Sequence, residues 1–449
     1  MTEQEINPLI PQSVIIPRSE HSISRASISD NALKVLYRLK NAGYQAYLVG
    51  GGVRDLTLGR EPKDFDIATD ALPEDVKALF RNCRLIGRRF RLAHVHFGPE
   101  IIEVATFRAL HDGEAGNDGD VRIEEDGRVL RDNVYGTVEE DALRRDFTIN
   151  SLYYNIADFS IVDFANGMAD LQEGVLRLIG DPEVRYREDA VRMLRAVRFA
   201  AKLGFIIDEQ TASPIARMAT LLEQIPQARL FEEVLKLFMT GHGLATFELL
   251  RRYGLFAQLF PETEEVLETD GHDTWVRFIA RALENTDARI SEGKPVTPAF
   301  LFAALLWPAI TKRSAHYRES RALNEPQALQ EAVSDVADAQ LRRVALPKRF
   351  GIPMREIFLL QPRLGRPGGK RAQRLLSHPR FRAAYDFLLL RAAVGEVEQE
   401  LADSWTRLQE GSEGQEALAV GAASDRPPPR RRRRRRRPAG GDGGAGGGQ

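Results

Sequence analysis

Along the first third of the chain, apolar and polar residues alternate in short runs; over most of the rest they recur at helical spacing. Residues 1–27 mix Pro, Ser and Ile without a sustained period and predict a flexible arm. Leu33, Leu36 and Leu39 then mark one side of a helix, which Asp30 is placed to cap and Asn41–Gly43 to end. Gln45–Val49 (QAYLV) predicts a strand and Phe65–Thr69 (FDIAT) a second. Pro73–Phe80 (PEDVKALF), with Pro and acids in its first turn, predicts a short helix. RLAHVHF and EIIEVATF face each other across Gly98-Pro99 as a hairpin, and SLYYNIADFSIVDF predicts another. Between them, Thr137 and Glu140 have the spacing of a capping box for a helix running to Asp146. From about Arg185 nearly to Gln409 the helical period holds, broken at prolines and glycines, with no fixed-length repeat.

The implied fold class is α+β. A small head (28–175) with a mixed or antiparallel sheet and flanking helices leads into a helical neck (176–265) and a helical body (266–410). Residues 111–128, rich in Gly and acids, predict a solvated loop; residues 411–449, of Gly, Ala, Pro and Arg, predict a disordered tail. Charge changes the picture. The formal total of −1 conceals nine arginines (Arg426 and Arg430 to Arg437) against two aspartates in residues 424–449, a local +7 that leaves −8 elsewhere. An acidic main part with a basic tail points to a polyanionic partner. The single cysteine, Cys83, excludes an internal disulfide, and the first residues lack a basic segment followed by an apolar one. No apolar run approaches the roughly 18–20 residues of a membrane helix, so a soluble cytoplasmic protein is expected, with no membrane partner.

Candidate chemistry concentrates in the head. Asp64 and Asp66 flank Phe65, and on an extended segment such a pair shares one face while Phe65 turns inward. Two adjacent carboxylates repel unless a cation lies between them, and Mg2+ is commonly held by one or two carboxylates plus substrate phosphates. Gly50, Gly51 and Gly52 follow the first strand, where backbone N–H groups without neighbouring side chains approach a phosphate closely. Arg54 adds a guanidinium fork. A glycine turn is also an ordinary strand–helix connection, and a lone DxD is usually a solvated turn. Together they describe a phosphoryl or nucleotidyl transfer site.

The stretch GGGVRDLTLGREPKDFDIAT resembles the signature of the class II nucleotidyltransferases, which comprise the tRNA CCA-adding enzymes and bacterial poly(A) polymerases. RRDFTINS (Arg144–Ser151), DFANGMADLQEGVLRLIGDP (Asp163–Pro182) and EDAVRMLRAVRF (Glu188–Phe199) resemble the second, third and fourth motifs of that family, in order. The resemblance continues into the helical part, for example in RLFEEVLKLF and HPRFRAAYDFLLLRA, and implies that the neck (176–265) binds nucleotide and RNA and that the body (266–410) binds RNA. It implies joining of an RNA 3′-hydroxyl to a nucleotide α-phosphate with release of pyrophosphate, assisted by two ions of Mg2+ or Mn2+ at Asp64 and Asp66. A third carboxylate is expected from Asp146, with Glu103 on the strand EIIEVATF as the rival. Gly51, Gly52, Arg54 and Arg145 are expected to contact the nucleotide.

In EDAVRMLRAVRFAAKLG, arginines recur at three-residue spacing after Glu188 and Asp189 and so climb one side of a helix. By itself the pattern also describes a solvated face with ion pairs. The resemblance assigns Asp189 and Arg192 to the base: adenine and cytosine each offer an amino donor beside a ring acceptor, whereas guanine and uracil reverse the order. Wrong bases leave buried polar groups unpaired. Glu188, Arg195 and Arg198 complete this nucleotide-binding set. LIGRRFRLAHVHF resembles a segment that marks bacterial poly(A) polymerases, and its Arg88, Arg89 and Arg91 are candidates for RNA or triphosphate contacts. Eight consecutive arginines in the tail suit many RNA 3′ ends better than one tRNA shape. The expectation is a monomeric, template-independent enzyme that adds adenylate from ATP to RNA 3′ ends and marks RNA for processing or decay, alongside RNA-decay proteins. The alternatives are CCA addition, a phosphohydrolase built on His111-Asp112 or His272-Asp273, and a non-catalytic RNA-binding protein.

Overall fold

The computed structural model describes residues 13–87, 91–109, 121–123, 129–132 and 134–424. Residues 1–12, most of the acidic stretch 111–128, Arg88, Arg89 and the arginine run Arg430–Arg437 lie outside the described residues. The head is a mixed sheet of eight strands: β1 (Val14–Ile16), β2 (Ala46–Val49), β3 (Asp66–Thr69), β4 (Cys83–Ile86), β5 (Leu92–Phe97), β6 (Glu100–Thr106), β9 (Leu152–Asn155) and β10 (Ile161–Asp163). A separate pair, β7 (Val121–Ile123) and β8 (Val129–Asp132), stands apart from it. The spatial order is β1-β10-β9-β2-β3-β6-β5-β4, and only β3 and β6 run parallel. Both expected hairpins form, β5–β6 and β9–β10.

The described part of the expected arm is ordered. β1 pairs antiparallel with β10, and Ile16, Ile23 and Ile28 are buried. Scattered isoleucines without a period anchor a connecting segment just as well as a regular element, which the periodicity reading missed. Helix α1 (Asp30–Asn41) is capped by Ser29, whose hydroxyl accepts from Ala32 N at 3.1 Å; Asp30 sits in the first turn instead, where its charge suits the helix dipole. α1 buries Ala32, Val35, Leu36 and Leu39. It packs on the sheet with α3 (Pro73–Leu79). One register row, Leu48–Ile67–Val104–Ala93, is buried across four strands. The neighbouring row, Val49–Asp66–Glu103–His94, therefore points to the opposite face. There Val49, Ala68, Tyr153 and Phe164 pack with Ala142 of α4 (Val138–Leu143). The capping box of Thr137 and Glu140 forms, but α4 ends at Leu143, short of Asp146.

After β10, Asp163 caps α5 (Gly167–Glu173) by accepting from Gly167 N and Met168 N at 3.0 and 2.9 Å. A short parallel pair, β11 (Val175–Leu176) and β12 (Ile206–Ile207), ties the head to α7 (Val191–Leu203), which α6 (Pro182–Glu188) precedes. Helices follow almost without interruption. The compact unit containing the head extends to Pro362, and a second runs from Arg363. That division falls inside the stretch expected to be one body, beside the helix-breaking run Gly365-Arg366-Pro367-Gly368-Gly369. In the second unit, helices Gly369–Leu376, Phe381–Ala393 and Gln399–Ser424 enclose Phe381 and Trp405. The last helix makes residues 411–424 helical, where tail composition predicted none.

Candidate active site

The register of β3 and β6 brings Asp66 level with Glu103, and β5 adds His94 beside Glu103 at 3.2 Å. Asp64 stands exposed two residues before the start of β3. Burial, then the neighbouring charges of Glu103 and Asp64, push the Asp66 carboxyl up to about 6 against the pull of Arg145. A divalent cation relieves that strain, so the residues present fit a metal pair held at Asp64 and Asp66. Among the described residues, no three His, Cys, Asp or Glu side chains converge enough to enclose an ion unaided; substrate oxygens must complete its shell. Phe65 is half-buried and lies against Gly52, where an added Cβ would stand 3.9 Å from its ring.

The glycine turn joins β2 to α2 (Gly51–Thr57). Gly50 adopts φ 68°, a conformation that favours glycine, and hands the chain to the first turn of α2. Arg54 is brought here but lies beneath the turn. It is 3% exposed, donates from Nη1 to Asn150 Oδ1 at 2.6 Å and pairs with Asp55 at 2.7 Å. The sequence suggested an open donor fork, whereas its charge sits behind Gly51 with its donors engaged. Arg145 is nearer the surface. Its Nη1 would stand 3.3 Å from a Cβ on Gly50, while Nε donates to Tyr153 Oη at 2.7 Å and Nη2 to Asp141 at 3.1 Å.

Asp146 takes partners other than the Asp64–Asp66 pair. It accepts from Phe147 N at 2.9 Å and Asn150 Nδ2 at 3.3 Å, and Arg195 donates from Nε at 2.6 Å. Burial opposes ionisation, but Arg195 and these hydrogen bonds prevail and hold the carboxyl below its ordinary range. The carboxylate alongside Asp66 in the sheet is thus Glu103, and Asp146 holds Arg195. The third motif supports the second: an added Cβ at Gly167 would lie 2.7 Å from the Thr148 carbonyl carbon, and Asp170 accepts from Thr148 Oγ1 at 2.6 Å.

The fourth motif is not one helix. α6 ends at Glu188, Asp189 is extended at φ −153°, and α7 begins at Val191, whose N–H donates to Asp189 Oδ1. The Asp side chain competes with the helix for backbone donors, which a spacing count does not register. Glu188 accepts from Arg185 and Arg192 at 2.8 and 2.7 Å. Arg185 also donates to the carbonyls of Arg144 and Arg145 at 2.6 and 2.7 Å, locking the fourth motif to the second; burial lowers its pKa to about 10. Arg145, Asp146, Asp189, Arg192 and Arg195 line one cleft of about 340 Å3. Arg198 is not among its lining residues; its guanidinium sits 4.6 Å above the Phe199 ring, and burial, then Arg195, lower its pKa.

Sequence reasoning missed two further walls of this cleft, Arg229 and Glu233. Arg229 donates to Asp189 at 2.6 Å, and Glu233 is 5% exposed. They are four apart on helix Gln227–Phe238, so their shared side was readable, but not their place against Asp189. His94 was missed likewise, although its spacing from Glu103 follows from the hairpin. His272 and Asp273 lie exposed at a helix start, which gives no support to a hydrolase site; His111-Asp112 falls outside the described residues.

The sheet, its glycine turn and its acidic row define a nucleotidyltransferase. Residues 46–177 match the family described as poly A polymerase head domain. Residues 204–267 match the probable RNA and SrmB-binding site of polymerase A, and residues 321–438 the polymerase A arginine-rich C-terminus. The chain is 54% identical to poly(A) polymerase I of Salmonella typhimurium, over 93% of this chain and 90% of that one. It is 56% identical to poly(A) polymerase I of Escherichia coli, over 86% and 83%. The crystal structure of the Bacillus stearothermophilus CCA-adding enzyme in complex with CTP superposes with a TM-score of 0.56 at 27% identity, over 84% of this chain and 80% of that one. The chain belongs to the bacterial poly(A) polymerase I family, with CCA-adding enzymes as more distant relatives.

Proposed function

We propose that this enzyme extends RNA 3′ ends with adenylate from ATP, without a template. The observation that carries this reading is the 54% identity to poly(A) polymerase I over 93% of this chain, whereas a CCA-adding enzyme is 40% identical over only 49% of it. The 3′ oxygen attacks the α-phosphorus and gives its proton to solvent. The bond to the β-phosphate oxygen breaks and pyrophosphate leaves. Asp64 and Asp66, with Glu103 alongside, would hold Mg2+ or Mn2+, which when bound would supply charge neutralisation and a more acidic 3′-hydroxyl.

The chain's own residues do the placing. The N–H groups at Gly51 and Gly52 receive the triphosphate, with the Arg54 charge behind them and Arg145 beside Gly50. Asp189 accepts from the adenine amino group and Arg192 donates to the ring nitrogen. Arg229 fixes Asp189, and Glu188 and Arg185 fix Arg192. Asp146 orients Arg195 in the same cleft, and Arg198 adds positive charge behind it. Among the described residues, no helix is long and apolar enough to cross a membrane. We place the enzyme in the cytoplasm as a monomer, acting on RNA bound for processing or decay together with decay proteins. The test is incubation with an unstructured RNA primer and single nucleotides. Long A tails from ATP alone support the reading; addition of only C, C and A to tRNA ends overturns it.

A further inference from the structure

In the second compact unit, residues 363–382 carry seven arginines and lysines and no carboxylate. Helix Gly369–Leu376 buries Ala372 and Leu375, while Lys370, Arg371 and Arg374 are exposed on its other side at spacings of three and four. Arg363 and Arg366, also exposed, precede it. Among the described residues, none of these five side chains has an ion-pair partner. Elsewhere in the unit arginines do pair: Arg382 with Asp386, Arg391 with Glu396 and Arg407 with Glu400.

Helix stability does not account for the pattern. The first turn of this helix has no acid and includes Lys370 and Arg371. Cations there oppose the helix dipole. Nor does packing account for it, because the five heads are in water. A closely spaced, unpaired, exposed set of cations is what a flexible polyanion neutralises, releasing its counterions.

We propose that this face, Arg363, Arg366, Lys370, Arg371 and Arg374, grips the phosphate backbone of single-stranded RNA upstream of the 3′ end being extended. It acts separately from the arginine run of the tail. The grip reads charge and no base, because nothing on the face offers a stacking aromatic. It rests on the reading of RNA as the substrate.

The test uses the full chain carrying Lys370→Glu, Arg371→Glu and Arg374→Glu together, with Lys370→Ala, Arg371→Ala and Arg374→Ala as the milder set. All six changes are at exposed positions. Binding of a long unstructured RNA is measured against salt, and KM for that RNA is compared with KM for ATP. We expect the log-log salt slope of the Ala variant to flatten by about 2, from about 0.7 per phosphate contact on single strands. We expect RNA KM to rise about tenfold or more and ATP KM to hold. Unchanged RNA affinity and slope in both variants overturn the proposal, as does loss of binding to anionic phospholipid vesicles with RNA binding intact. Failure of the unsubstituted enzyme to make A tails instead counts against the proposed function, so the two are separable.

Discussion

At the scale of single residues, the carboxylates divide into those placed to hold cations, Asp64 and Asp66, and those that hold arginines, such as Asp146 with Arg195. Asp64→Ala or Asp66→Ala is expected to reduce adenylate incorporation by at least about 10³-fold, several kcal/mol of lost transition-state stabilisation. RNA retention on a filter should stay nearly unchanged, and residual activity close to the parent would contradict the assignment. Asp146→Asn belongs to a different class. It breaks a largely buried pair with Arg195 and should cost about 2–3 kcal/mol of stability, discounted because Arg195 is partly exposed. The sign with pH follows from its lowered pKa. The stabilisation is present above the ordinary carboxylate range and is lost as pH falls through the folded value. Melting temperatures of the two proteins should therefore differ at pH 7 and converge in acid. The sequence made Asp64, Asp66 and the glycine turn readable because they are adjacent along the chain. It left Asp146 and Glu103 as rivals because their separation is set by strand register and by Arg195, far away in sequence.

At the scale of elements, the hairpins, α1 and the capped α4 followed from periodicity and turn chemistry. Two features did not. Asp189 interrupts what spacing presents as one continuous helix, because its side chain takes a backbone donor. β1 lacked a period, yet it closes the sheet edge beyond β10. The third motif shows its purpose only in three dimensions: Asp163 caps α5 and Gly167 lets that helix approach Thr148. Gly167→Ala is expected to destabilise the head by about 1–3 kcal/mol through overpacking against backbone. Thermal or urea denaturation checks this, and an unchanged midpoint would show that the approach is not tight.

At the scale of the whole molecule, charge is divided between an acidic main part and a basic end. Deleting residues 425–449, just after the last helix, should weaken RNA binding and flatten its salt dependence while the enzyme still adds adenylate to short primers. Full-strength binding by the truncated chain would remove the tail from the account. The central claim is that ATP meets RNA at the Asp64–Asp66 pair, with its base between Asp189 and Arg192. A crystal of the enzyme with a non-hydrolysable ATP analogue and Mn2+ tests it most directly. Anomalous density is expected at Asp64 and Asp66, with the triphosphate against Gly51 and Gly52. Bound nucleotide with its ion at other carboxylates, or with its base away from Asp189, would contradict it.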